Sequence, residues 1–171
     1  MPYTTTHVLV AIIAIELFRE YFFKNNRKFP RYYILLAAIA GVFPDLEYLF
    51  RLNYHDRLFF HSLFIPLIFL VLGLLAMKFE IGHKGLRRRH MNLSFIFYIF
   101  AVGSLIHIGL DSIFVDTLMP FYPFSNYEFG LELVNRFSEN FRELVLPILD
   151  ALLFFFWIFW LQFKLKVDDY F

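Results

Sequence analysis

The sequence predicts an all-α polytopic membrane bundle of about five transmembrane helices with an outer interfacial helix and loop, and three observations carry that reading. Of 171 residues, 60% are hydrophobic and 18% charged, against about 45–50% and about 25% in soluble domains. Phenylalanine alone supplies 26 residues, and the apolar residues fall in long runs bounded by charges, which marks a surface made for lipid. The Lys and Arg residues gather at one set of run ends, as they do on the cytoplasmic side of membrane proteins. One integral-membrane domain, 1–171, suits this length. A net charge of +1 gives no reason to expect nucleic-acid binding, and the lack of cysteine excludes disulfides, thiolate ligands and a cysteine nucleophile.

Taken in order, span 1 covers residues 7–24 and carries Glu16, Arg19 and Glu20 on one helical face, which therefore turns inward rather than to lipid. The start MPYTTTH lacks the basic region of a secretory signal, so this span is expected to be retained. Span 2, 32–50, reads YYILLAAIAGVFPDLEYLF and breaks near Pro44 just as its charges begin. Span 3, 59–77, is clean apart from His61; span 4, 91–112, is free of Asp, Glu, Lys and Arg until Asp111; span 5, 144–163, is interrupted only by Asp150. Each approaches the roughly 20 residues needed to cross a bilayer. In the outer loop, 115–142, the stretch LELVNRFSENF repeats Leu133, Phe137 and Phe141 every four residues and predicts an amphipathic helix that anchors or lids the protein. The preceding Phe121, Tyr122, Phe124, Tyr127 and Phe129 suit an interfacial aromatic belt.

Charge sets the expected orientation. Lys24, Arg27, Lys28 and Arg31 follow span 1; Lys78, Lys84, Arg87, Arg88 and Arg89 follow span 3; Lys164 and Lys166 follow span 5. The opposite ends are MPYTTT, the 51–58 connection and a loop rich in acids, among them Asp116, Glu128, Glu132, Glu139 and Glu143. A multi-pass protein of the cell membrane with its amino terminus outside and its carboxyl terminus in the cytoplasm follows. The basic run GHKGLRRRH serves that topology or binds anionic headgroups; His83 and His90 receive no role.

The polar residues of the spans share one depth. At 1.5 Å per helical residue, His7 lies about 25 Å from Lys24, Asp45 about 21 Å from Arg31, His61 about 25 Å from Lys78 and His107 about 27 Å from Arg89. Asp111 stands one turn beyond His107, and Asp150 is about 21 Å from Lys164. A structural hydrogen-bond network is the alternative to a metal site. Ionisable groups at membrane depth are costly, however, and three His with three Asp in one stratum point to a divalent metal. Imidazoles and carboxylates without thiolate suit zinc, with Mn²⁺ or Fe²⁺ as alternatives, and more than four donors imply two or more ions.

The pieces TH at 6–7, GVFPDLE at 41–47, HDRLFFHS at 55–62, HIGLD at 107–111 and MPFYPFS at 119–125 resemble the YdjM-like family of membrane-bound metal-dependent hydrolases. That family is in turn similar to the zinc-dependent phospholipase C and P1 nuclease superfamily. The resemblance implies metal ligands at His7, Asp45, His61, His107 and Asp111, with Asp45 bridging two ions. Two departures stand out. Glu47 occupies the second acid of a pattern that is usually PDxD, and Asp56 precedes Arg57 where the family has His, with His55 one place earlier. Glu47, His55, Asp56 and Asp150 are therefore secondary candidates, and His61 ranks above His55.

The expected activity is hydrolysis of a phosphate ester, a phospholipid of the surrounding membrane being the substrate, by water activated on the metal. Asp45 is the expected proton acceptor and Arg57 the expected phosphate clamp. A non-catalytic protein that binds or transports a divalent metal competes with this, as does a structural or regulatory bundle with a vestigial site. A transport path would need polar residues down to the cytoplasmic face, and only Glu16, Arg19 and Glu20 lie there. Oligomeric state is not encoded in any feature of the sequence.

Overall fold

The computed structural model describes residues 4–23, 29–30, 32–50, 59–82, 92–114 and 117–163. Helix α1 runs Thr4–Phe22, and its inward face is Leu9, Ala11, Ile12 and Ile15 continued by Glu16 and Arg19. Helix α2 is short, Tyr32–Val42, and passes directly into a 3-10 helix, Phe43–Phe50. Pro44 explains the change: it has no N–H for the α ladder and its ring clashes with the carbonyl four residues back. The predicted continuous span 32–50 is thus two elements, and α2 alone, at 11 residues, is about 17 Å long, short of a hydrocarbon core of about 30 Å.

Helix α3, Phe64–Gly82, starts five residues later than the predicted span 59–77. The segment before it is a turn held by Ser62, which donates to the Phe59 carbonyl (2.7 Å) and accepts from the Phe64 amide (3.4 Å). Pro66 sits in the first turn of α3, where a missing amide costs no intrahelical bond. Helix α4, Leu93–Phe114, agrees with span 4 to within two residues. Helix α5, Glu139–Phe163, takes in the end of the supposed interfacial helix, 139–141. That separate helix does not form. Only a 3-10 turn, Leu133–Arg136, is present, because Glu132 adopts left-handed backbone angles (φ 46°, ψ 46°) and Phe137 an extended ψ of 160°. Leu133, Phe137 and Phe141 all remain exposed.

Helix α4 is the hub: it packs against α3, α2 and α1, while α5 packs on α1. Small residues permit the close approaches, as is usual for membrane helices. A Cβ on Gly103 would lie 2.5 Å from that of Ala40 on α2, and one on Gly41 would lie 2.8 Å from the His7 carbonyl oxygen of α1. At the other end, Phe29, Tyr33 and Phe95 stack edge and tilt with centroids 4.9–6.1 Å apart. The Tyr33 hydroxyl accepts from the Asn92 amide at 2.9 Å. Of the three charges of span 1, Glu16 and Arg19 are buried and Glu20 is half-buried; Trp157 of α5 donates to Glu16 (3.1 Å) and Arg19 to the Phe29 carbonyl (3.0 Å).

Among the described residues, α4 and the Phe141–Phe163 part of α5 are long and apolar enough to cross a membrane, and α3 contributes a shorter apolar stretch, Phe64–Phe79. Their outer faces are hydrocarbon: Leu152, Phe155, Phe159 and Phe163 on α5 are each at least 60% exposed. Surface of this kind is costly in water and suits lipid.

Candidate metal centre

Four segments bring their polar side chains to one place. His7 comes from α1, Asp45 from the 3-10 helix, His61 from the turn before α3, and His107 with Asp111 from consecutive turns of α4. His107 Nε2 lies 3.3 Å from Asp111 Oδ2 and 3.5 Å from Asp45 Oδ1. His61 Nε2 lies 3.7 Å from each of those two oxygens and 3.4 Å from His107 Nε2. The other oxygen of Asp111, Oδ1, is 3.3 Å from His7 Nε2, and the His7 and His107 rings stack with centroids 3.9 Å apart. The side chains form two overlapping groups suited to a metal ion, His7, His107 and Asp111 in one and Asp45, His61 and His107 in the other. His61, His107 and Asp111 are at most 1% exposed.

The far sides of the imidazoles fix their orientation. His107 Nδ1 is 2.7 Å from the Gly41 carbonyl oxygen, which can only accept, so this nitrogen carries the proton. His61 Nδ1 donates likewise to Glu47 Oε2 at 3.1 Å. In the neutral rings both Nε2 lone pairs then face each other and two carboxylates across a few ångströms. Such an arrangement repels itself unless protons or a cation fill the centre. Both oxygens of Asp111 and Oδ1 of Asp45 are buried and face imidazole nitrogens at 3.3–3.7 Å, a setting that could hold a metal ion.

All five primary ligand candidates, His7, Asp45, His61, His107 and Asp111, are therefore brought together. Glu47 is buried beside them but reaches the back of His61, so its place is that of an orienting partner and not of a ligand. Asp150 stands apart from both groups and accepts a hydrogen bond from Thr6, the neighbour of His7. The two oxygens of Asp111 face different imidazoles, Oδ1 toward His7 and Oδ2 toward His107 and His61, while Asp45 Oδ1 faces the same point as His61 and His107. His55, Asp56 and Arg57 lie outside the described residues, as do the cations that set the predicted topology other than Lys78. Sequence reasoning missed Gly41 altogether, because a carbonyl acceptor leaves no residue-type signal. It also missed Thr6 as a partner of Asp150, since nothing local links α1 to α5.

An all-helical membrane protein with a buried His and Asp centre able to hold a metal is what the fold and the site define. The family model for the YdjM inner membrane protein matches residues 1–166, and the chain belongs to that family. No curated protein and no solved structure shows a significant match.

Proposed function

We infer that the protein is a membrane-embedded, metal-dependent hydrolase of a phosphate ester, acting on a phospholipid as a phospholipase C or D does. The observation that carries this reading is the ring of donors around His107 Nε2, with Asp111 Oδ2 at 3.3 Å, His61 Nε2 at 3.4 Å and Asp45 Oδ1 at 3.5 Å. Tetrahedral zinc with bonds of about 2.0–2.2 Å holds its donors about 3.3–3.6 Å apart, so the spacing supports zinc. His7 with the free oxygen of Asp111 supports a second ion whose remaining positions stay open, the property that separates catalytic from structural sites. Bound ions would supply Lewis acidity toward the phosphoryl oxygens and acidify water in the site.

The chain's own groups do the rest. Asp45, at 18% exposure the most open donor of the cluster, takes the proton from the attacking water as that water's oxygen bonds to phosphorus and the ester P–O bond breaks, and the proton then passes to the departing alkoxide. Glu47 and Gly41 hold the two imidazoles in register. Arg57, four residues before His61, is the expected fork for the phosphate. The carboxylates by themselves repel an anionic ester, so the substrate enters only when cations balance them. The site faces the outer leaflet, with the amino terminus outside and the carboxyl terminus in the cytoplasm, if the basic loops obey their usual bias.

The near-complete burial of His61, His107 and Asp111 favours a second reading, a non-catalytic protein that binds or passes a divalent metal, since closed sites are often structural. One experiment separates them: metal analysis of protein purified without added metal, then lipid mass spectrometry with and without chelator. Chelator-sensitive release of a headgroup supports the hydrolase. A fully metallated protein that cleaves no ester in a broad lipid panel overturns it.

A further inference from the structure

Two of the three imidazoles in the centre are held from behind, and the third is not. His107 Nδ1 has the Gly41 carbonyl at 2.7 Å and His61 Nδ1 has Glu47 at 3.1 Å, whereas His7 Nδ1 is buried with no hydrogen-bond partner among the described residues. The His7 ring is placed by its stack on His107, by Asp111 Oδ1 at 3.3 Å from Nε2, and otherwise by the backbone that carries it. His7 is the fourth residue of α1, so its amide is among those that a helix start leaves without an intrahelical acceptor. What holds this first turn therefore decides where the ring lies.

Two helices hold it. Helix α2 comes close at Gly41, where a Cβ would lie 2.8 Å from the His7 carbonyl oxygen. Helix α5 reaches it through a side chain: Thr6, fully buried while Thr4 and Thr5 are exposed, donates its hydroxyl to Asp150 Oδ1. Asp150 is a half-buried carboxylate followed by the run ALLFFFWIFWL, and an ionisable group in such a setting is costly to keep without a role. Among the described residues, α5 packs on α1 and on the 3-10 turn Leu133–Arg136 but not on α2, α3 or α4. Its route to the centre is thus the bond from Asp150 to Thr6, one residue from His7.

We propose that Asp150 is a positioning residue: through Thr6 it sets His7 against Asp111 Oδ1 and so governs the second ion, while the ion of Asp45, His61 and His107 is independent of it. This rests on the two-ion reading of the centre given above and not on the nature of the substrate. The division follows from the supports already described. His61 and His107 each have an acceptor on the far nitrogen to fix ring and tautomer, as metal-binding histidines usually do. His7 lacks one, so the anchor of its helix turn takes over that task.

The test is a zinc-binding isotherm on the full chain, stripped with chelator and held in nanodiscs, with metal analysis of the loaded sample. The wild type should take up two ions per chain. Thr6→Val combined with Asp150→Leu replaces both partners by apolar groups, so neither is left buried and unpaired and the fold is spared. In that variant the first ion should bind as in the wild type and the second about 10–100-fold more weakly. Should it not survive purification, Thr6→Val alone decides by the same ratio of affinities. Thr6→Ser keeps the hydroxyl and Asp150→Asn keeps the accepting oxygen, and both should stay close to the wild type. In a His7→Ala background, which already lacks the second ion, the double change should leave the remaining ion alone; a merely structural bond would weaken it there too. Unchanged binding of both ions in the double variant overturns the positioning role, as does equal weakening of both. A loss in Asp150→Asn as large as in the double variant overturns it as well and makes Asp150 a ligand. A wild type that takes up one ion or none overturns the two-ion centre and the positioning with it. A two-ion wild type that cleaves no lipid overturns the hydrolase reading and keeps the positioning.

Discussion

His61 is gripped on both sides, by Glu47 at Nδ1 (3.1 Å) and by the ligand cluster at Nε2, and the two grips have different consequences. Glu47→Gln keeps an acceptor but removes the charge that makes the imidazole a better donor, so metal affinity should fall about 10–100-fold, read by competition with a chelating dye. His61→Ala, His107→Ala and Asp111→Ala should each lower metal content outright, because the remaining partners are left as uncompensated dipoles and charges out of water. Metal analysis of the purified variants checks this; wild-type occupancy in all three would remove the centre. Asp45→Asn preserves shape and one donor oxygen while losing the base. Turnover of a phosphoester lipid should drop about 10²–10⁴-fold with lipid binding kept. Metal content measured on the same sample tells loss of the base from loss of the ion.

At the scale of elements, the centre exists because short side chains let helices meet. Gly103 and Gly109 lie less than two turns apart along α4, yet the same substitution should act with opposite sign. Gly103→Ala drives a Cβ to 2.5 Å from Ala40, so α2 must move, at a cost of about 1–3 kcal/mol. The Gly41 carbonyl, which follows Ala40, then shifts from His107, and metal affinity falls with stability. Gly109→Ala meets open space and should raise helix stability by about 0.5–1 kcal/mol. Thermal unfolding of the two variants in one detergent compares them directly; equal shifts would contradict the packing. Helix α5 packs on α1, and two hydrogen bonds join them, Thr6 to Asp150 and Trp157 to Glu16.

For the whole molecule the first question is sidedness. The native chain has no cysteine, so single cysteines at Asn126 and Gly85 can be probed without background. An impermeant thiol reagent on intact cells should label Asn126→Cys and spare Gly85→Cys. Labelling of the second from outside would place the metal centre at the cytoplasmic face and change the leaflet that supplies substrate.

Composition and run length by themselves determined that this is a helical membrane protein, and α4 follows its apolar run almost to the residue, since hydrocarbon leaves a backbone no option but to bond within its own helix. Depth counting also put His7, Asp45, His61, His107 and Asp111 at one level, because a helix converts sequence distance into height. Height is all that it converts. Which way each side chain faces depends on how the helices pack and on where they stop. Pro44 ends the α ladder just before Asp45, and the Ser62 turn holds His61 outside the start of α3, so tertiary structure decided that the two oxygens of Asp111 face different imidazoles. It likewise placed Glu47 behind His61 and left the interfacial helix of 131–141 unformed. Those outcomes rest on contacts between residues far apart in the chain, a carbonyl of α2 against a ring of α4 among them, and no local pattern of residue types encodes them.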